Sequence, residues 1–205
     1  MSPVKLYGIP RSRAFRCLLA LEEVGIPYEL VATDYREGCR TEAFRRLNPN
    51  AKIPVLVDGE LCLWESLAIN LYLFRKSGTL WPQTAEDEAR LFQWTLWTAT
   101  EVEPAQGAWF YNTKFLPPEE RDPAQAEKGA EKLRFCLGVL EGQLADWPYL
   151  CGASWSAADL QASSVLYTSW ANGFDYGPFP RAKAWLERCL NRPAALKARG
   201  MREAA

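Results

Sequence analysis

A chain of 205 residues, 48% hydrophobic and 24% charged, is long enough to bury a real core as one large domain or two small ones. Its formal charge of −1 gives no electrostatic reason to expect nucleic acid or an anionic membrane as a partner, and apolar runs such as Cys17 to Leu21 fall far short of a bilayer span. The absence of histidine excludes Ser-His-Asp and Cys-His hydrolysis, His-ligated zinc and imidazole acid–base catalysis. The six cysteines (Cys17, Cys39, Cys62, Cys136, Cys151, Cys189) are scattered without a CxxC pair, so neither a metal site nor a disulfide framework is expected. The opening MSPVKLYGIP lacks the apolar core of a signal peptide, which points to the cytoplasm.

Strand and helix signals alternate through the first 78 residues. Val4 to Tyr7 is a short apolar run stopped by Gly8 and reads as a buried strand. Ser12 precedes AFRCLLALEEVG, a run of helix formers ending at Gly25 with Pro27 behind it, so a helix is expected with Ser12 as its cap. Tyr28 to Ala32 alternates as a second strand, and Thr41 to Leu47 forms a short helix stopped by Asn48-Pro49. Pro54 to Val57 and Leu61 to Leu63, joined by Asp58-Gly59, make a hairpin, and Glu65 to Lys76 returns to helical periodicity before Gly78. The order β-α-β-α-β-β-α is that of a thioredoxin-like domain.

After Leu80-Trp81-Pro82 the strand signals vanish. Ala85 to Thr113 reads as a long helix kinked by Pro104 and Gly107, and Ala124 to Ala145 as a second. Ser156 to Ala171 is a third, and Phe179 to Leu190 with Ala194 to Ala204 supply the rest. Ser156 with Asp159 three residues on forms a capping box, flanked by Trp155 and Leu160 in staple positions, so Asp159 is assigned a structural role. The expected fold is an α/β domain over residues 1–78, a linker over 79–85, and an all-helical domain over 86–205.

Three segments together resemble the cytosolic glutathione S-transferase superfamily, and within it the Ser-type members. They are LYGIPRSRAFRCLLALEEVGIPYE, NPNAKIPVLVDGELCLWESLAINLYL followed by LWP, and YLCGASWSAADL. The resemblance implies that glutathione is co-substrate, without a metal, and that its thiolate is joined to small hydrophobic electrophiles. A free thiol has a pKa of about 8.5, so donors or positive potential must stabilise the anion at neutral pH. The N-terminus of the helix beginning near Ser12 offers both. By resemblance the Ser12 hydroxyl donates to the thiolate; Tyr7, at the end of the first strand, is the alternative donor, and Arg11 and Arg13 flank the site.

Further roles follow from the same resemblance. Ile53-Pro54 matches a cis-proline position that turns the Ile53 N–H and C=O outward to pair with the cysteinyl backbone of glutathione. Glu65 and Ser66 match the pair that holds the γ-glutamyl ammonium and carboxylate. Lys52, then Arg40, would meet the glycine carboxylate. Glu101 or Glu103 would reach the γ-glutamyl ammonium of a partner subunit in a homodimer. The electrophile site would be apolar and lie between the domains, drawing on Trp109, Phe110, Tyr111 and Phe115, with Trp170 and Phe174 as further candidates. Cys17 lies more than one turn into the first helix, so a mixed-disulfide mechanism is disfavoured. The alternatives are a glutathione-dependent isomerase, peroxidase or dehalogenase, or a non-catalytic interaction protein of the same fold.

Overall fold

The computed structural model describes residues 3–204 and divides them into two units, one of residues 3–81 with 191–204 and the other of residues 82–190. The first unit is built on a four-stranded sheet of order β2-β1-β3-β4, with β1 Val4–Gly8, β2 Tyr28–Ala32, β3 Val55–Asp58 and β4 Leu61–Trp64. The β1–β2 pair is parallel, which requires the crossover helix α1 (Ala14–Val24) between them; β3 runs antiparallel to both β1 and β4. Gly25 ends α1 in the left-handed region (φ 69°), which a glycine adopts without a side-chain clash.

Alternation along the strands divides the side chains between two faces. Leu6 and Leu56 are fully buried in the main core with α1 and with α3 (Ser66–Ser77), which pack on each other and on the sheet. Tyr7 and Val55 join Phe44, Cys39 and Ile53 in a second cluster, where Phe44 comes from α2 (Glu42–Leu47). Thr41 caps α2, its hydroxyl accepting the Phe44 N–H at 3.2 Å. A 3-10 turn over Gly38–Arg40, which the sequence pattern does not signal, precedes it. The hairpin is tied to α3 by Asp58, which accepts from Tyr72 and Lys76.

The last helix, α9 (Pro193–Ala204), departs from the expected division: it packs on α1 and belongs to the first unit. Charge explains the placement. Glu22 and Glu23 lie in the last turn of α1; Glu22 pairs with Lys197 of α9 at 2.7 Å, and Glu23 with Arg192, the residue before α9.

In the second unit, α4 (Ala85–Trp97), α5 (Glu103–Phe110) and two π-helical segments, Thr98–Val102 and Tyr111–Phe115, form one continuous run. The kink expected at Pro104 and Gly107 takes this form instead. Pro104 has no N–H for the turn before it and its ring crowds that turn, and the Glu103 N–H correspondingly reaches back five residues to the Thr98 carbonyl. The run packs against α6 (Pro123–Asp146) at a close crossing through Gly129 and against α7 (Ala157–Ala171), and α8 (Pro180–Leu190) closes on α6 and α7. Helix α7 is buried nearly all round, so its polar groups find partners inside: Gln106 donates to the Val165 carbonyl at 2.9 Å and accepts the Ser169 N–H at 3.0 Å. The Ser156–Asp159 capping box is present. No helix among the described residues is long and apolar enough to cross a membrane.

Candidate active site

Three sequence-predicted features of the first unit come together: the start of α1, the Ile53-Pro54 loop and the start of α3. Gly8, at the end of β1, marks the first junction. A Cβ there would lie 2.7 Å from the Ala14 Cβ and 3.7 Å from the Ile53 Cβ, and its φ of 155° suits glycine as well. The second junction is made by α1 itself: Arg16 Nη1 donates to the Ser66 hydroxyl at 3.3 Å and the Cys17 thiol to the Ser66 carbonyl at 3.6 Å.

Ser12 closes a turn before it serves the helix. Ile9-Pro10-Arg11-Ser12 is a β-turn in which the Ser12 N–H donates to the Ile9 carbonyl at 3.1 Å, with proline at the position its fixed φ favours. The Ser12 hydroxyl donates to the same carbonyl at 2.7 Å and accepts the Ala14 N–H at 3.1 Å. Arg13, exposed, occupies the residue adjoining the first helical position, so the expected serine cap acts from one residue further out. Tyr7 sits between Val31 and Val55 in the sheet, its ring edge-on to Phe44 with centroids 6.3 Å apart. That contact gives it a packing role in the second cluster.

The Ile53-Pro54 peptide is cis, and neither the N–H nor the C=O of Ile53 has a hydrogen-bond partner among the described residues. This leaves a short extended edge able to pair with a peptide backbone. Asn48, which the sequence pattern marks only as a helix stop, holds this loop in shape. It is buried, its Nδ2 donates to the Lys52 carbonyl at 2.7 Å, and its Oδ1 accepts the Asn50 N–H at 3.0 Å. The Lys52 side chain is exposed beside the loop, and Arg40 is exposed at the end of the 3-10 turn.

Glu65 adopts φ 72° and ψ 110°, a conformation rare for any residue but glycine and typical of strain held at a functional site. It is exposed and precedes Ser66, the first residue of α3, whose hydroxyl is buried at the open end of a twelve-residue helix. Arg16 is a site residue that the sequence reading missed. Its signal was a cation amid AFRCLLALEEV, on a helix face that must be buried, since a buried guanidinium needs a polar partner.

The remaining candidates separate from this cluster. Cys17 is fully buried, and burial pushes its thiol far above the ordinary range despite the nearby Arg16 charge, so it is no ready source of thiolate. Glu101 pairs with Lys132 at 2.6 Å within its own unit, and Glu103 is the first residue of α5. Trp109 is buried edge-on to Phe174, centroids 5.1 Å apart, as a core residue. Tyr111 and Phe115 are exposed and T-stacked at 5.2 Å, each 5.9 Å from the Phe110 ring, and make an apolar surface on the second π segment. Trp170 packs on Tyr167. Among the described residues, no group of three or more Asp, Glu and Cys side chains is arranged to hold a metal ion.

The family model described as "Glutathione S-transferase, N-terminal domain" matches residues 2–75, and the one described as "Glutathione S-transferase, C-terminal domain" matches residues 108–193. Glutathione S-transferase 1 of Triticum aestivum is 35% identical, over 95% of this chain and 92% of its own. A solved structure of glutathione S-transferase-I bound with lactoylglutathione superposes with a TM-score of 0.89 at 30% identity, covering 98% of this chain and 100% of that one. A theta class glutathione S-transferase from Xanthomonas axonopodis pv. citri, solved with glutathione bound, gives the same TM-score and identity over 97% of each chain.

Proposed function

The chain belongs to the glutathione S-transferase family, and on that footing we propose that it joins the glutathione thiolate to small hydrophobic electrophiles, with Ser12 as the thiolate's hydrogen-bond donor. The carrying observation is the convergence of Ser12, the unpaired Ile53 peptide and the Glu65-Ser66 helix start within one unit. The cysteinyl backbone of glutathione pairs with Ile53. The γ-glutamyl carboxylate takes the Ser66 end of α3, its ammonium takes Glu65, and Lys52 or Arg40 meets the glycine carboxylate.

The Ser12 hydroxyl carries one proton, held on the Ile9 carbonyl. Rotation of that proton onto sulfur, with the Ala14 N–H still donating to the Ser12 oxygen, stabilises the anion together with the helix dipole. The thiolate then attacks the electrophilic carbon as its leaving group departs. The cytoplasm is its proposed location. A homodimer is also proposed: α4 exposes Leu96 (63%) one turn from Phe92, and α6 exposes Phe135 (67%) one turn from Val139, apolar rows that a second copy would cover. Light scattering tests it.

Retention on immobilised glutathione and turnover of an aryl halide test the activity. Ser12→Ala should raise the apparent pKa of the bound thiol and lower kcat, and Tyr7→Phe should change neither. The opposite pattern would move the donor role to Tyr7. No retention and no turnover would leave an interaction protein.

A further inference from the structure

The loop that carries Ser12 is held from outside by α9. Arg202 Nη1 donates to the Pro10 carbonyl at 2.7 Å and to the Ser12 carbonyl at 3.3 Å, and its guanidinium lies 5.5 Å from the centre of the Phe15 ring. The contact is reciprocal, because Arg11 Nε donates to the Arg202 carbonyl at 3.2 Å. That carbonyl is one of the last of α9, which the helix itself leaves without a partner. The α9 segment is in turn docked on α1 through Arg192–Glu23 and Lys197–Glu22, and on the start of β2 through the Tyr28 hydroxyl, which donates to the Met201 sulfur at 3.6 Å.

We propose that Arg202 is a positioning residue for glutathione activation: it fixes the Pro10–Ser12 backbone so that the Ser12 hydroxyl and the start of α1 present a constant geometry to the thiolate. The Ile9 carbonyl makes two closures of the turn, taking both the N–H and the hydroxyl of Ser12, while the Ser12 carbonyl accepts the Phe15 N–H at 3.2 Å at the start of α1. When the hydroxyl leaves Ile9 for sulfur, one of those two closures is lost. Pro10 contributes no N–H, and its carbonyl is held by Arg202. A cation at these carbonyls also adds positive potential beside the developing anion. This inference rests on the Ser12 reading above, and the test separates the two.

The bound thiol is titrated by its thiolate ultraviolet absorbance in wild type, Arg202→Met, Arg192→Met and Ser12→Ala, with kcat and KM for glutathione measured across pH. Arg202→Met should raise the thiol pKa by about one unit, leaving about tenfold less thiolate and about tenfold lower kcat well below that pKa. The KM for glutathione should move less than about twofold, because the Ile53, Glu65 and Ser66 contacts remain. Arg192→Met breaks a different anchor of α9 and should lower the melting temperature without shifting the thiol pKa. If Arg202→Met does not fold, Arg202→Gln, two bonds too short to reach Pro10, makes the same comparison. An unchanged thiol pKa in the Arg202 variant, or an equal shift in Arg192→Met, overturns the proposal while Ser12→Ala still shifts. An unshifted Ser12→Ala overturns the Ser12 reading and this inference with it.

Discussion

Replacing Asp159 by alanine should strip the helical unit of a large part of its stability. The carboxylate is completely buried and accepts four hydrogen bonds: from the Leu150 N–H at 2.9 Å, the Ser156 N–H at 3.0 Å, the Ser156 hydroxyl at 2.7 Å and the Trp185 indole N–H at 2.9 Å. Burial pushes its carboxyl above the ordinary carboxylate range, and those donors are what oppose that shift. Alanine would leave the Leu150 and Trp185 donors buried and unsatisfied, at about 1–3 kcal/mol each, and would remove the reciprocal half of the α7 capping box, worth about 1 kcal/mol. The sum, roughly 3–7 kcal/mol, is comparable with the whole stability of a typical domain, about 5–15 kcal/mol. Thermal denaturation followed by tryptophan fluorescence, with near-ultraviolet circular dichroism reporting on Trp185, measures it. A variant melting within about 2 °C of wild type would refute the reasoning, since 1 kcal/mol alone shifts the midpoint by about 2–4 °C in a chain of this length.

Gly129→Ala should also destabilise the helical unit, by about 1–3 kcal/mol or more. The new methyl would lie 2.5 Å from the Trp109 nitrogen and 2.8 Å from the Ala105 oxygen, both backbone atoms that move only if α5 and α6 separate. Calorimetric melting checks it, and an unchanged midpoint would contradict the close crossing. Cys17→Ala should retain most of the conjugating activity, and Cys17 in the native protein should react with an alkylating reagent only as fast as the unit opens, because its thiol is buried and held protonated. Peptide mapping after timed alkylation reads this, and rapid native labelling together with lost activity would favour a cysteine-based redox mechanism.

Much of the site was legible in the residues because its local determinants are local chemistry. Thr41, Gly25 and the Ser156–Asp159 box sit where a short polar side chain or a left-handed backbone ends or begins a helix, and the structure uses them so. The cis peptide at Ile53-Pro54 and the pair Glu65-Ser66 were readable as family motifs, not as consequences of composition. Spacing could not reveal Arg16 beneath Ser66, since that contact joins helices brought together only by folding; Asn48 bonds within its own loop, where nothing but its residue type marks it.

By itself the sequence determined which segments become strands or helices and where they stop, because side-chain periodicity, caps and turn residues act over a few neighbours along the chain. Only the tertiary structure decided that α9 docks on α1, that Arg202 grips the Ser12 loop from 190 residues away, and that Pro104 follows a π turn and not a simple bend. Such contacts depend on complementary charge and shape across surfaces with no fixed separation in sequence. Glu22 and Glu23 acquire their partners Lys197 and Arg192 only once both helices exist and meet.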